Sequence, residues 1–570
     1  MPSSSGPERC SPEEGQEHSL RSEAGGLSFT HFDHATPLRG STTMSSLRSE
    51  EKQQRRILRG RRVACVVLGD FGRSPRMQYH ALSLLRAGAA VTVVGYEGEA
   101  LVQGLTVDDV EYRLFRPFQW RWLKSACWPL FALLKFVLLI FQLSWCLLSS
   151  TWADIILVQN PPSAALPIVV IISAFRGSRV IVDWHNLGFT TLSLALGCKE
   201  DMVSHSERDG ITAVHRRSNL RRQIVHCAKI VEVFFARQAS AHLAVTKAMA
   251  MWLKVNFGLQ ATTFHDSPPD FFQPTNVLEC HELFSRLGKE FKSALAASEL
   301  DIESKRGLAG SFLQSDGEEK TLLTERLPSR EVVFRSNRPA LLVSSTSWTE
   351  DEDFGILLDA LVSLDQCSSN SSRFTRKVME EASTNGGNTN LPFLVVIVTG
   401  KGPLKEFYRE KMNKLALKRV AILTMWLTSE DYPKLLGCAD LGVSLHTSTS
   451  GIDLPMKIWD MFGCGVPVCA ATFGCIDELV SHGVNGYVFE NSKQLAVQLQ
   501  LLLKDFPNNS NLQELGKGVH STTRWNENWE AIALPVIRDL SASPGSQWSA
   551  FWKILSLAVI ATAIGYMNLR

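Results

Sequence analysis

The chain has 570 residues, enough for two substantial domains, and 45% of them are hydrophobic while 20% are charged. That balance is typical of a folded protein. The formal net charge of +2 is too small to indicate a nucleic-acid-binding protein. The 12 cysteines form no CxxC pair or regular framework, which favours free thiols in a reducing compartment and argues against zinc.

Residues 1–57 are rich in Ser, Glu and Gly and lack the apolar stretch of a signal peptide, so we expect a disordered extension. The apolar run 63–68 then predicts a strand buried on both faces of a parallel sheet. A glycine-containing loop at 69–76, a helical segment and a second apolar run at 90–94 follow. This order predicts the βαβ opening of a Rossmann-like domain.

Further apolar runs predict more strands. They lie at 153–158 and 179–183 in the first sheet, and at 340–343, 391–398, 420–423 and 439–445 in a second. The charged stretch 279–338 shows no clear strand pattern and predicts a partly helical connector between two domains.

Two apolar segments indicate contact with a membrane. Residues 128–148 are long enough to span a bilayer, but the strands predicted on both sides belong to one sheet, which cannot lie on opposite sides of a membrane. We therefore expect the segment 121–150 to dip into one leaflet or lie at the interface, with an ordinary buried helix or hairpin as the alternative. Residues 554–567, in the tail 546–570, predict a tail anchor or an interfacial helix.

The stretch 445–468 has the residues expected of a diphosphate site. A strand runs into a Ser/Thr/Gly turn containing Ser450 and Gly451, and a helix starts near Pro455. Backbone N–H groups at a helix N-terminus bind phosphate, and Lys457 in the first turn adds a positive charge. Asp460, one turn further on, could accept hydrogen bonds from ribose hydroxyls.

This stretch resembles the donor-binding motif of GT-B glycosyltransferases, which fold as two Rossmann-like domains facing a cleft. The chain keeps a Leu-Pro, an acidic residue and the Cys-Gly-x-Pro-Val ending, but has Ser450 or Asp453 where the family's first glutamate is expected. The resemblance implies donor binding by Asp453 in place of that glutamate. Lys401, in a glycine loop after a strand, and Glu478, in a second acidic site, are further candidates for donor binding.

Several blocks also resemble the plant-like β-1,4-mannosyltransferases of the dolichol pathway. The blocks lie at 69–80, 158–162, 182–186, 344–353 and 450–457, and the resemblance covers roughly residues 62 to 535. It implies inverting transfer from GDP-mannose to a chitobiosyl-diphosphodolichol acceptor, at the cytosolic face of the endoplasmic reticulum membrane. Membrane lipid and other early glycosyltransferases of the pathway are the implied partners, and nucleic acid is not.

An inverting transfer needs a base for the acceptor hydroxyl and positive groups for the departing GDP. The base candidates are Asp70, Asp183 and His185, each at or just past a predicted strand end, with Trp184 as an aromatic platform for the sugar. Structural roles for Asp183 and His185, as a turn cap and a buried polar group, are the alternative. No metal site or tightly bound cofactor is expected, and a loosely bound Mg²⁺ remains open.

Arg73 and Arg76 are candidates to bind the diphosphate of the lipid acceptor. Two other functions are compatible with the sequence: a GT-B enzyme with another nucleotide-sugar donor, and a non-catalytic GT-B subunit that scaffolds other membrane transferases.

The expected domain boundaries are 1–57 for the extension, 58–278 for the acceptor-side domain, 279–338 for the connector, 339–520 for the donor domain, 521–545 for a C-terminal helix and 546–570 for the tail.

Overall fold

The computed structural model describes residues 57–102, 104–105, 109–116, 128–198, 215–297, 319–350, 352–369, 391–415, 417–448 and 450–542. The expected extension, apart from residue 57, and the tail 546–570 lie outside the described residues. Residues 121–127 of the expected membrane segment also lie outside them.

The first domain is built on a seven-stranded, all-parallel sheet in the order β3-β2-β1-β4-β5-β6-β7. Its strands are β1 (Arg62–Asp70), β2 (Ala90–Tyr96), β3 (Val110–Phe115), β4 (Ile155–Asn160), β5 (Arg179–Trp184), β6 (Ala241–Ala244) and β7 (Thr262–Thr263). Its helices are α1 (Pro75–Arg86), α2 (Trp128–Ser149), α3 (Ala165–Arg176), α4 (Gly188–Ala195), α5 (His215–Ala236) and α6 (Lys247–Phe257). The four strands predicted here are confirmed, and β3, β6 and β7 are additional.

The second domain repeats the design with a six-stranded parallel sheet in the order β12-β11-β10-β13-β14-β15. The strands are β10 (Ala340–Ser345), β11 (Leu394–Thr399), β12 (Val420–Met425), β13 (Leu441–Ser444), β14 (Val468–Ala471) and β15 (Gly486–Phe489). The helices are α9 (Phe354–Ser369), α10 (Lys405–Met412), α11 (Asp431–Gly437), α12 (Met456–Gly463), α13 (Ser492–Leu503) and α14 (Ser510–Val519). All six residues of β10 and of β11 are buried, as apolar runs in a sheet covered on both faces should be.

The expected connector contains helices α7 (Val277–Arg286) and α8 (Gly288–Ala297), so the expected helical content is confirmed. The expectation of no strand was wrong, because β8 (Thr324–Arg326) and β9 (Val332–Phe334) form an antiparallel hairpin. Leu283, Phe284 and Phe291 pack into the core of the second domain. The segment is therefore an integral part of that domain.

After the second domain the chain returns to the first one. It does so through α15 (Trp525–Asn528), a π-helical turn at Trp529–Ala533 and α16 (Leu534–Ala542). Trp525 and Trp529 are buried in the core formed by β1, β2 and α1, and Trp525 Nε1 donates to Ser83 Oγ at 3.0 Å. This C-terminal segment joins the two domains by packing rather than by a linker alone.

Helix α2 has two different apolar faces. Leu143, Cys146 and Leu147 are buried against the first sheet. The opposite face exposes six large apolar side chains: Phe136, Val137, Ile140, Phe141, Trp145 and Leu148. No helix within the described residues is both long and apolar enough to cross a membrane.

In each sheet the strand order reverses between two neighbouring strands, β1 and β4 in the first domain and β10 and β13 in the second. Loops diverge at such a switch point and leave a crevice at the carboxyl ends of the strands, where ligands of doubly wound folds bind. A ligand-binding site is therefore expected among the loops that follow these strands.

Candidate functional site

Loops from the two domains meet at the carboxyl ends of the sheets. Asn186, after β5, donates from Nδ2 to Asp453 Oδ1 at 3.1 Å, and Thr246 donates its hydroxyl to the Ile452 carbonyl at 2.5 Å. These hydrogen bonds bring the loops after β5 and β6 against the loop between β13 and α12, and we refer to the region between these loops as the cleft.

A buried polar cluster lies on the first-domain side of this cleft. Asp183, at the end of β5, accepts Arg76 Nε at 2.8 Å and Nη2 at 3.0 Å, and Arg76 Nη1 reaches Asp266 at 2.7 Å. Burial alone would raise the pKa of Asp183, but Arg76 and His185 outweigh it and hold that pKa well below its ordinary value. Asp183 is therefore a permanent carboxylate inside the fold.

His185 lies between this carboxylate and the cleft. Its Nε2 is 2.8 Å from Asp183 Oδ2, and its side chain is part-exposed. Because an ionised carboxylate only accepts hydrogen bonds, the ring proton belongs on Nε2 and Nδ1 is the basic atom of the neutral ring. A histidine oriented in this way by a carboxylate is the arrangement that general bases use.

His80 completes the cluster beneath Asp183. It is fully buried, and burial lowers its pKa from 6.5. Trp529 Nε1 donates to His80 Nδ1 at 3.1 Å, so the proton of the neutral ring belongs on Nε2, which lies 3.4 Å from Asp183. The C-terminal segment thus contacts this cluster through His80, whose Nε2 makes no hydrogen bond to Asp183.

The structure corrects three expectations for this side of the cleft. Trp184 is 0% exposed and donates to His242 Nδ1 at 3.2 Å, so it cannot serve as a sugar platform. Arg76 is 1% exposed and engaged by two carboxylates, so it cannot reach the diphosphate of an acceptor. Asp70 caps its own loop, since it accepts the backbone N–H groups of Gly72 at 3.0 Å and Glu99 at 3.1 Å.

Arg73 differs from Arg76 in that its side chain is 69% exposed, beside Asp70 and Glu99. It lies in the loop after β1, at the switch point of the first sheet. Only Arg73 of the two arginines is accessible to a ligand.

Donor-domain residues line the opposite wall. Asp453 accepts hydrogen bonds from Asn186, from the Ser450 hydroxyl at 3.0 Å and from the Ser448 hydroxyl. Gly451 has a φ of 73°, a conformation that a glycine adopts without strain, and its N–H donates to Ser448 Oγ at 2.8 Å. The predicted Ser450–Asp453 turn is therefore ordered and faces the first domain.

Lys457 and Asp460 lie on helix α12, as the sequence predicted. Lys457 Nζ donates to Ser347 Oγ at 3.0 Å and forms an ion pair with the buried Glu352. Burial, and then the charge of Asp266, raise the pKa of Asp460 well above its ordinary value, while Lys457 lowers it. Asp460 is thus a carboxyl group in a poorly solvated place between the domains.

The other two predicted donor residues make contacts of their own. Lys401, after β11, stacks over the ring of Trp426, with its Nζ 3.7 Å from the ring centroid. Glu478 accepts the backbone N–H groups of Lys247 and Ala248 at 2.7 and 2.8 Å, so it caps helix α6 of the first domain. Its carboxylate thus links the two domains, and its expected role in donor binding stays a prediction.

Three site residues were missed: Glu352, Asn186 and Asp266. Glu352 belongs to the acidic triplet 351–353, in which Asp353 is the residue that caps helix α9, since its Oδ1 accepts the Gly355 N–H at 2.9 Å. The sequence signal for Glu352 was its place in the loop that follows the buried strand β10. No group of three or more His, Cys, Asp or Glu side chains in the described part of the chain is arranged to hold a metal ion.

Comparisons with known proteins agree with this architecture. Residues 384–505 match the family described as Glycosyl transferases group 1. The chain is 42% identical to the UDP-glycosyltransferase TURAN of Arabidopsis thaliana, over 84% of this chain and 97% of that protein. It is 38% identical to the chitobiosyldiphosphodolichol beta-mannosyltransferase of Mus musculus, over 86% of this chain and 92% of that protein.

The same relationship extends to a distant eukaryote. The chitobiosyldiphosphodolichol beta-mannosyltransferase of Dictyostelium discoideum is 36% identical, over 83% of this chain and 92% of that protein. The chain belongs to the chitobiosyldiphosphodolichol beta-mannosyltransferase family. Its two facing Rossmann-like domains are the GT-B fold of glycosyltransferases.

The two arginines near the start of α1 provide a test of the buried cluster. Arg76→Met should lower the free energy of unfolding by about 3–5 kcal/mol, because it leaves two buried carboxylates without their cation. Arg73→Met, the matched control, should leave stability nearly unchanged, because exposed ion pairs contribute little. Urea unfolding of both variants measures this, and equal stabilities would contradict the assignment of Arg76 to the core.

Proposed function

We propose that the chain transfers mannose from GDP-mannose to chitobiosyl-diphosphodolichol, with inversion, to form a β-1,4-linked mannoside. The names of the family members indicate the acceptor and the sugar. The observation that carries the proposal is the Asn186–Asp453 hydrogen bond, which brings the His185 segment against the loop that leads into α12. A base from one domain and a donor site from the other thus face one cleft.

His185 acts as the general base. Its Nδ1 takes the proton of the acceptor hydroxyl while that oxygen attacks the anomeric carbon of the donor, and GDP departs from the opposite face with the bonding electrons. Asp183 holds the ring through Nε2 at 2.8 Å and stabilises the imidazolium that forms. Asp70 is not carried into this mechanism, since its carboxylate caps a loop.

The donor binds on the second domain. Lys457 and the backbone N–H groups at the start of α12 stabilise the diphosphate and the charge that develops on GDP as it leaves. Asp460 accepts hydrogen bonds from the ribose, Asp453 with Ser450 and Gly451 contacts the mannose, and Lys401 adds positive charge. Arg73 binds the diphosphate of the acceptor, because its guanidinium is exposed at the first switch point.

The acceptor carries a long lipid, so the enzyme works at a membrane surface. The exposed apolar face of α2 is the part of the described chain best suited to enter one leaflet, with the neighbouring Ile171 and Phe175 of α3 extending it. We place the catalytic domains at the cytosolic face of the endoplasmic reticulum membrane, where other early transferases of the pathway would be partners.

A second candidate is a GT-B enzyme that uses another nucleotide sugar. The name of the Arabidopsis thaliana relative, a UDP-glycosyltransferase, favours a UDP donor. The third candidate, a non-catalytic scaffold, requires that the His185–Asp183 pair has no catalytic role.

One assay separates the three candidates. The purified full-length chain, given chitobiosyl-diphospholipid and a panel of GDP- and UDP-sugars with and without Mg²⁺, should form a β-linked product from GDP-mannose alone. Mass spectrometry and sensitivity to β-mannosidase identify the product. Transfer from a UDP-sugar would replace the donor assignment, and absence of transfer from every donor would leave the scaffold.

The base assignment predicts a change in turnover. His185→Gln keeps a donor for Asp183 but removes the basic nitrogen, so kcat should fall by about 10²-fold or more while the KM for GDP-mannose changes little. His226→Gln, at an exposed position on α5, is the control and should retain full activity. A kcat within a few-fold of the unsubstituted enzyme would exclude His185 as the base.

If both the tail and α2 contact the bilayer, the protein should be released from membranes in two steps. Deleting residues 545–570 should free only part of the protein from membranes, because α2 still contacts the bilayer. Adding Phe141→Ser and Trp145→Ser should release most of the remainder, whereas Val255→Ser, on an exposed position of α6, should not. Vesicle flotation measures the bound fraction, and complete release by the deletion alone would show that α2 does not bind membranes.

A further inference from the structure

Glu352 is a buried carboxylate that the mechanism above does not use. It is 3% exposed, and its Oε2 accepts the backbone N–H groups of Ser347 at 2.6 Å and Trp348 at 3.2 Å, together with the Thr346 hydroxyl. Its Oε1 forms the ion pair with Lys457. Burying a carboxylate is unfavourable unless it is paired and hydrogen-bonded, and here both oxygens are engaged.

The loop that surrounds Glu352 is rigid. Trp348, which is buried, has a φ of 50° and donates from Nε1 to the Gly400 carbonyl at 3.3 Å. A Cβ at Gly400 would lie 1.7 Å from the Thr346 carbonyl oxygen, so only glycine allows the loops after β10 and β11 to pack this closely. The backbone of Glu352 also pairs with His446, just after β13.

Contacts with Glu352 and Ser347 hold the ammonium group of Lys457 in a defined position. A lysine side chain has a flexible stem and three donors that can rotate, so an unrestrained ammonium in the first turn of α12 would sample many positions. Glu352 and Ser347 orient two of those donors, which leaves the third for an oxygen atom of a ligand. Helix capping does not explain Glu352, because Asp353 caps α9.

We propose that Glu352 is a positioning residue, which holds the Lys457 ammonium in place for the diphosphate of the nucleotide-sugar donor. The inference rests on the proposed function, and it assigns the binding power of Lys457 to a carboxylate in a different segment, the loop between β10 and α9. Glu352 does not touch the donor in this arrangement and acts only through Lys457 and Ser347.

The alternative roles of Glu352 predict opposite effects on nucleotide affinity. If Glu352 positions Lys457, Glu352→Gln should raise the Kd for GDP and the KM for GDP-mannose by about ten-fold, as expected for one charge-assisted hydrogen bond. If Glu352 merely repelled the diphosphate or held Lys457 away from it, the same change would tighten binding. The acceptor KM should stay constant in either case.

A double-mutant cycle tests whether the effect passes through Lys457. In a Lys457→Met background, Glu352→Gln should change the Kd for GDP by less than about two-fold, because the ammonium to be positioned is absent. The same ten-fold weakening in both backgrounds would show a general structural role and overturn the proposal. Asp353→Asn, the neighbouring carboxylate, is the matched control and should leave the Kd for GDP unchanged.

Ser347→Ala covers the case in which Glu352 variants fold poorly. It removes the second partner of the ammonium without touching Glu352, so it should weaken GDP binding, and this effect should also vanish in the Lys457→Met background.

Calorimetry measures GDP binding without an acceptor. It therefore distinguishes failure of the positioning role from failure of the proposed function. If the full chain binds GDP and Glu352→Gln and Ser347→Ala bind it equally well, only the positioning role falls. If the full chain binds neither GDP nor UDP, the proposed function falls as well.

Discussion

The buried ion pair between Arg76 and Asp183 is the interaction on which the first domain and its cleft depend. Arg76 comes from helix α1, Asp183 from the end of β5 and Asp266 from the segment after β7, so one guanidinium joins three distant parts of the chain. Removing either partner would leave an uncompensated buried charge, at a cost of about 3–5 kcal/mol. The same Asp183 oxygen that accepts Arg76 Nε also accepts His185 Nε2, so folding and the orientation of His185, the proposed base, depend on one atom.

The second domain solves a similar problem without a buried cation. There a buried carboxylate, Glu352, holds the partly exposed cation Lys457, whereas in the first domain a buried cation and carboxylate hold the partly exposed His185. In both domains the buried partner follows or faces the carboxyl end of a central strand. This placement makes each functional group as rigid as the sheet behind it, which is what preorganised catalysis requires.

The sequence predicted the parallel strands well and the roles of single charged residues poorly. Runs such as β1 and β10 are apolar because both faces of the sheet are covered, so their composition alone identifies them. The two-residue strand β7 has no such pattern. Arg73 and Arg76 look equivalent in the sequence, and only the approach of Asp183 and Asp266, more than 100 residues away, decides that one is buried.

Breaking the hydrogen bonds that cross the cleft costs less free energy than breaking the buried ion pairs. The Asn186–Asp453 contact joins two part-buried groups and is worth about 1 kcal/mol, whereas the Arg76 cluster is several times stronger. If a sugar binds in the cleft as proposed, it can therefore replace the Asn186–Asp453 bond with bonds to its own hydroxyls at little net cost. The two ion-pair clusters, and the packing of Trp525 and Trp529, stay intact while this exchange occurs. In the proposed mechanism the molecule thus holds its base and its donor-binding cation in place and confines adjustment to the contacts that a substrate would replace.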